Sequence, residues 1–181
     1  MASDAKKYTE ALAAYDRALA IDPTHDDARL GRGRVFEDQE LFDDAIREYK
    51  AVLSRNNKHV AAHLILANAY RRVGNLPLAI SNAERAAQLS PGEAWIRNII
   101  GQLLEQNGDL PGAKERFLEA IGLVSNDAEF HLNLAKVLEK LGERERAIAE
   151  YTAYLELVAG LEKYREQINF CNARIRALRG A

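Results

Sequence analysis

The sequence has 181 residues, of which 48% are hydrophobic and 29% are charged, and its formal net charge is −2. This near-balance argues against a nucleic-acid-binding surface, which requires an excess of basic residues. No apolar run of about 18 residues occurs, so we expect no membrane insertion. The start, MASDAKKYTE, lacks the apolar core of a signal peptide, and Cys171 is the only cysteine. These features favour a protein of the reducing cytoplasm.

A spacing of 34 residues runs through the chain. Gly74, Gly108 and Gly142 stand at this interval, and Glu40 and Lys6 continue it backwards. Alanine follows each of these five markers five residues later, at Ala11, Ala45, Ala79, Ala113 and Ala147. Aromatic residues follow four of the markers nine residues later, at Tyr15, Tyr49, Phe117 and Tyr151. Such a period is typical of stacked helix–turn–helix units, with alanines where the two helices cross.

Residues 74–80, GNLPLAI, are predicted to form a corner between two helices. Gly74 would end the first helix in a left-handed conformation, which glycine adopts at little cost. Asn75 would cap the second helix, and Pro77 falls in its first turn, where a missing N–H costs little. Residues 108–111 repeat the same arrangement.

In chain order, the sequence predicts a lone second helix, four full helix pairs and a capping helix. The partial unit spans about 1–25, and full units follow at about 26–59, 60–93, 94–127 and 128–161. The capping helix is expected at about 162–178, where an apolar stripe is formed by Tyr164, Ile168, Cys171, Ile175 and Leu178. Its opposite face is charged, so the helix would cover the last apolar face of a single domain. Alternatively, the basic residues of this helix would form a charged surface on which a partner docks.

The pattern resembles the tetratricopeptide repeat (TPR) family over nearly the whole chain. Segment 63–91 matches the family at Leu66, Ala67, Tyr70, Gly74, Ala79, Ala86 and Pro91, and segments 98–123 and 131–157 also match. In 26–59, Arg32 replaces a core leucine and Glu40 a glycine, so either this unit is looser or Arg32 snorkels to the surface. The resemblance implies an all-α, right-handed superhelical solenoid of antiparallel helix pairs, whose first helices form the inner wall of a groove.

Little in the sequence indicates catalysis. His59 and His63 are four residues apart, as metal ligands on a helix can be, but no third ligand stands nearby. Cys171 lies on the apolar stripe and is interpreted as a small buried hydrophobe. No phosphate-binding glycine loop or nucleophile motif occurs. We therefore expect no enzyme activity, no metal and no cofactor.

The predicted partner-binding residues lie on the inner wall that the resemblance implies. They are Asn68, Arg71, Trp95, Asn98, Gln102 and Lys136. Amide side chains can pair with a peptide backbone, and the two cations can pair with acidic side chains. We therefore predict a protein-interaction scaffold whose groove holds a peptide or helical segment of a partner protein, mildly acidic at its centre.

A second interpretation is a self-assembling module, or a TPR segment of a larger protein. It depends on the incomplete first unit, in which a helix over about 4–20 would leave Tyr8, Leu12 and Tyr15 half exposed. That face could pair with a second copy, which would give a homo-oligomer.

One TPR subclass holds the acidic tails of heat-shock chaperones with a two-carboxylate clamp of five side chains. With the first unit placed at residue 60, only Asn68 matches the clamp, while Leu64, Ile99, Glu129 and Asn133 occupy its other places. With the first unit placed at residue 26, none of the five matches. We therefore predict that this clamp is absent.

Overall fold

The computed structural model describes residues 2–180 and, beyond residue 5, their side chains. The chain divides after Ser90 into two compact halves. The N-terminal half contains α1 (Ala2–Ile21), α2 (Asp26–Asp38), α3 (Phe42–Arg55), α4 (Val60–Arg72) and α5 (Leu76–Leu89). The C-terminal half contains α6 (Ala94–Gln106), α7 (Leu110–Leu123), α8 (Ala128–Lys140), α9 (Arg144–Leu157), a 3-10 turn (Glu162–Tyr164) and α10 (Arg165–Gly180). No strand occurs within the described residues, so the all-α prediction is confirmed.

The corners between paired helices form as the sequence predicts. Gly74, Gly108 and Gly142 have positive φ angles of 77°, 86° and 77°. Asn75 caps α5, because its Oδ1 accepts a hydrogen bond from the backbone N–H of Leu78 at 3.3 Å. These glycines therefore turn the chain between paired helices.

The repeat of 26–59 departs from the others at two residues. Glu40 takes the place of the corner glycine with a φ of 61°, in the left-handed region that favours glycine. Arg32 takes the place of a core leucine, but its guanidinium donates to Asp16 of α1 at 2.7 Å and to Glu48 of α3 at 2.8 Å. Arg32 therefore reaches out of the core, as the snorkelling alternative predicts, and its charge ties α1 to this repeat.

The alanines of the repeat lie at the crossings of paired helices. Four of them have no exposed surface, namely Ala45, Ala79, Ala113 and Ala147. The aromatic rings that follow lie directly on the partner helix: a Cβ at Gly33 would stand 2.3 Å from the Tyr49 ring, and one at Gly101 would stand 2.6 Å from the Phe117 ring. Small residues at these places let each pair of helices pack closely.

A basic side chain at the fourth place of each full repeat ties its first helix to the preceding loop. Arg29 and Arg97 donate to the carbonyl oxygens of Pro23 and Pro91 at 3.1 and 3.4 Å. In the other two repeats His63 Nε2 lies 3.1 Å from the carbonyl oxygen of Asn57, and His131 Nε2 lies 3.0 Å from that of Ser125. This shared contact explains why His63 and His131 stand at the same repeat position.

The apolar stripe of the capping helix packs on the last repeat. Cys171 has no exposed surface and Ile175 is 8% exposed, and both join the core that contains Phe117, Leu134 and Tyr151. Burial raises the pKa of the Cys171 thiol to about 11. The thiol therefore stays protonated at neutral pH and behaves as the small hydrophobe that the sequence predicts.

Candidate functional site

Each half has a candidate site of its own, the surface formed by its first helices, which we call the first-helix face. In the N-terminal half it contains Asn68 and Arg71 of α4. The Arg71 guanidinium donates to Asn68 Oδ1 at 2.8 Å, and both side chains are exposed. Arg72 lies beside them, with its guanidinium carbon 5.1 Å from the centre of the Phe42 ring. This part of the face therefore presents two cations to a ligand.

In the C-terminal half, the predicted amides are gathered around a carboxylate. Glu129 Oε1 accepts hydrogen bonds from Asn98 Nδ2 at 3.3 Å and from Gln102 Nε2 at 3.1 Å. Asn133 Nδ2 donates to Asn98 Oδ1 at 2.9 Å, so both ends of the Asn98 amide are used within the fold. The sequence predicted that the Asn98 amide would be open to a ligand. The structure corrects this prediction, because Asn98 is only 5% exposed. Gln102 remains exposed.

Lys136 lies where α8 faces the capping helix. Its Nζ is 6.0 Å from the centre of the Phe170 ring, and it has no carboxylate at ion-pair distance among the described residues. Next to it, Glu139 accepts hydrogen bonds from Arg174 and from the Tyr151 hydroxyl, the latter at 2.9 Å. The hydrogen bond from Arg174 holds the pKa of Glu139 below its usual value. Glu139 is therefore neutralised within the fold, and Lys136 is not.

Trp95 lies at the start of α6. Its indole Nε1 donates to Glu93 Oε2 at 2.6 Å, and 45% of the residue is exposed. The ring therefore offers an apolar surface with its polar atom already satisfied.

Two cavities open along α8. The first has a volume of about 540 Å³ and is lined by Asn126, Asp127, Ala128, Glu129, Leu132, Tyr154, Leu157, Val158, Leu161, Tyr164 and Gln167. The second has a volume of about 320 Å³ and is lined by Glu105, Lys136, Glu139, Lys140, Tyr151, Phe170 and Arg174. Both are lined by residues of α8, α9 and α10, the first beside the N-terminal end of α8 and the second beside its C-terminal end. We call the surface that these two cavities occupy the α8–α10 groove.

Two residues of this groove, Phe170 and Arg174, were not among the predicted site residues. The repeat itself carries the signal that locates them. A step of 34 from Lys136 reaches Phe170 (136 + 34 = 170), and the same step from Lys140 reaches Arg174 (140 + 34 = 174). Helix α10 therefore continues the order of the first helices, and the side of it that carries Phe170 and Arg174 extends the first-helix face.

The histidines that suggested a metal have other contacts. His59 Nδ1 accepts from the backbone N–H of Ala62 and caps α4, and His63 Nδ1 lies 3.1 Å from Asn82 Oδ1. Across residues 2–180, no three histidine, cysteine or acidic side chains are grouped closely enough to hold a metal ion. No helix within the same range is long and apolar enough to cross a membrane.

The fold and this face define a helical-repeat scaffold for protein interactions. The profile of the tetratricopeptide repeat family matches residues 30–94 and 100–162, and a second TPR profile matches residues 2–48. The chain therefore belongs to the tetratricopeptide repeat family.

Curated relatives contain the matching region within longer chains. Anaphase-promoting complex subunit 3 of Schizosaccharomyces pombe is 24% identical over 145 residues, which cover 80% of this chain and 22% of that protein. Hsp70-Hsp90 organizing protein 3 of Arabidopsis thaliana is 23% identical over 146 residues, covering 80% and 25%. A TPR repeat-containing protein of Pseudomonas aeruginosa is 34% identical over 100 residues, covering 55% and 40%. The chain thus spans less than half the length of each of these relatives.

Solved structures share the fold over most of this chain. MamA has a TM-score of 0.78 at 24% identity, with 87% of this chain and 92% of MamA covered. YrrB, described as a TPR protein with an unusual peptide-binding site, has a TM-score of 0.72 at 21% identity, with coverage of 88% and 82%. At these identities the likeness shows the fold alone.

Proposed function

We propose that the chain binds a peptide or helical segment of a partner protein on its first-helix face. The observation that supports this most directly is the unneutralised Lys136, which stands in a groove with two cavities. An open groove with a few fixed polar groups is the usual form of a binding site. The peptide-binding description of YrrB and the multiprotein setting named for anaphase-promoting complex subunit 3 agree with this proposal.

The six predicted site residues take different parts in this proposal. Arg71, Gln102 and Lys136 contact the partner, and Trp95 supplies an apolar edge. Asn68 orients Arg71 through its hydrogen bond. Asn98 does not contact the partner but fixes Glu129 in place. The ligand carries acidic side chains that pair with Arg71 and Lys136. Its affinity falls as the salt concentration rises, since exposed ion pairs are screened. The proposal includes a cytoplasmic location, which the free thiol of Cys171 favours.

A matched pair of variants tests the face. Arg71→Gln with Lys136→Gln removes one cation of the first-helix face from each half. Arg17→Gln with Arg144→Gln removes one exposed cation from a second helix in each half, α1 and α9. Capture of partner proteins from a lysate of the source cells should be lost with the first pair and kept with the second. Capture that survived the first pair and was lost with the second would contradict the proposal.

The predicted absence of the two-carboxylate clamp remains part of the proposal, despite the similarity to an Hsp70-Hsp90 organizing protein. Leu64 and Ile99, which occupy clamp places, are half-buried apolar residues that cannot donate to a carboxylate. Calorimetry with an acidic chaperone-tail peptide should show no saturable binding near micromolar concentration. Clear saturation there would contradict this point.

Self-assembly through α1 is the second candidate function. Tyr8, Leu12 and Tyr15 on this helix are only half-buried, and Ile21 is 87% exposed. Pairing with a second copy would remove this apolar surface from water. Light scattering at increasing concentration should show a dimer that Leu12→Glu converts to a monomer. A monomer at all concentrations would exclude this candidate without affecting the first.

A further inference from the structure

We propose that the α8–α10 groove selects an extended segment of a partner with opposite charges at its two ends. The segment places an apolar residue and an adjacent base at the N-terminal end of α8, and an acidic side chain at its C-terminal end. This inference rests on the proposed function, because it assigns the chemistry of the ligand that the first-helix face binds.

The first cavity of the groove suits an apolar side chain next to a base. Leu132, Tyr154 and Val158 line it, while Asp127 and Glu129 supply carboxylates, and no lysine, arginine or histidine is among its lining residues. Glu129 is held by two side-chain amides, which donate hydrogen bonds without neutralising its charge. A cation of the ligand that reached Glu129 would therefore meet a fixed and uncompensated carboxylate.

The second cavity of the groove suits a carboxylate. Its two acidic side chains already have partners: Glu105 pairs with Lys140 at 2.8 Å, and Glu139 pairs with Arg174. Lys136 is the remaining cation of the cavity; its Nζ lies 6.0 Å from the centre of the Phe170 ring, and it makes no ion pair among the described residues. An acidic side chain of the ligand would complete the pairing of charges at this end.

The separation of the two charges fixes the spacing in the ligand. Glu129 and Lys136 are seven residues apart on α8. A helix rises about 1.5 Å per residue, so the two residues are separated by about 10 Å along its axis. An extended chain advances about 3.3 Å per residue and covers that distance in about three residues. The base and the acid of the ligand therefore stand three positions apart.

A titration with short peptides, followed by the amide NMR signals of the whole chain, tests this layout. The matched probe has the sequence leucine–lysine–alanine–alanine–glutamate between flanking glycines. The control has the same composition with lysine and glutamate adjacent, as leucine–lysine–glutamate–alanine–alanine. Because only the charge spacing differs, the comparison holds for either direction of binding. The matched probe should shift signals of α8 and α10, and the control should bind about fivefold more weakly, as expected for one lost exposed ion pair.

Three variants locate the charges. Glu129→Gln keeps an oxygen for Asn98 and Gln102 but removes the negative charge, and Lys136→Gln removes the positive charge. Each should weaken the matched probe about fivefold, whereas Arg144→Gln on α9 should leave it unchanged. Lys136→Glu should instead favour a probe in which the terminal glutamate is replaced by lysine. Unchanged spectra outside the substituted region would show that each variant is folded.

The outcomes separate this inference from the proposed function. Equal binding of probe and control, or indifference to Glu129→Gln and Lys136→Gln, overturns the charged layout, while partner capture that depends on Arg71 and Lys136 would still support the face. Tighter binding by an alanine-rich helix with its base and acid seven positions apart overturns the extended ligand. No shift at about 1 mM matched probe, the weak end of specific affinities, also overturns the inference.

Discussion

Helices α1 and α9 share an alanine and a tyrosine at two places of the repeat, but only the pair on α9 is fully buried. Ala147 and Tyr151 of α9 have no exposed surface. Ala11 and Tyr15 of α1, which stand at the same repeat positions, are half-buried. Burial of a repeat residue is therefore set by the neighbouring helices and not by the residue itself.

The neighbours of the two helices explain the difference. Helix α9 packs between α8 and α10, whereas the described residues give α1 its main packing against α2. The Tyr15 ring lies on Gly31 of α2, where an added Cβ would stand 2.4 Å from it. The ion pair from Arg32 to Asp16 adds a contact, but Asp16 is exposed and such pairs contribute at most about 1 kcal/mol. Charge therefore compensates only in part for the lower burial of α1.

Hydrogen exchange should show the largest difference between these regions. Half exposure of two large side chains forfeits about 1.5–3 kcal/mol of burial free energy. Amides of residues 8–20 should therefore exchange roughly ten to a hundred times faster than those of residues 100–120. Equal protection of the two segments in a proven monomer would contradict this.

The sequence was sufficient to predict the corners and crossings, because those depend on residues within one repeat. A glycine with positive φ and a capping Asn75 act over a few positions. The burial of Asn98 depends instead on Glu129 and Asn133, which reach it from the next first helix. The period indicates which side chains share a face, but not which of them bond to each other across it. For the same reason, the sequence predicted an amide row where the structure has a carboxylate held by amides.

Overpacking should separate α1 from the interior helices. Ala147→Leu adds three carbons where two helices meet, which costs about 1–3 kcal/mol. Ala113→Leu at the same repeat place of α7 should cost as much, because Ala113 also has no exposed surface. Ala11→Leu should change the free energy of unfolding by less than about 0.5 kcal/mol, because Ala11 is only half-buried. Urea denaturation of the three variants checks this, and an equal loss at Ala11 would mean that α1 is packed as tightly as α9.

Acid should lower the stability of the region around α9, because Glu139 joins α8 to α9 and α10 through its carboxylate. Among the described residues, α1 has no equivalent carboxylate contact with two neighbouring helices. Arg174 and Tyr151 donate to this carboxylate, so its pKa in the folded chain lies below the ordinary 4.5. Its stabilising contribution is therefore present above pH 4.5 and is lost as the pH falls through the lowered value. Glu139→Gln should cost up to about 1 kcal/mol at pH 7, and this loss should shrink as the pH falls below 4.5. Urea denaturation across this range measures it, with Glu115→Gln as the exposed control; a loss independent of pH would show that packing, and not charge, is responsible.

The smallest predicted effect is a gain of stability in the repeat beside α1. Glu40 holds a φ of 61°, which a residue with a side chain adopts at some cost, while the later repeats have glycine at this corner. Glu40→Gly should remove that strain and stabilise the chain by about 0.5–1 kcal/mol, less the entropy that glycine gains when unfolded. Thermal unfolding measures the gain.

Two further variants show whether the backbone is the cause. Glu40→Ala removes the same carboxylate but keeps a Cβ, so it should leave the melting temperature nearly unchanged. Gly108→Ala places a Cβ at a φ of 86° and should destabilise the chain by about 1 kcal/mol. If Glu40→Ala stabilised as much as Glu40→Gly, the gain would come from the lost charge. In that case the corner of the first full repeat would not be strained, and the weakness of the N-terminal region would lie in α1 alone.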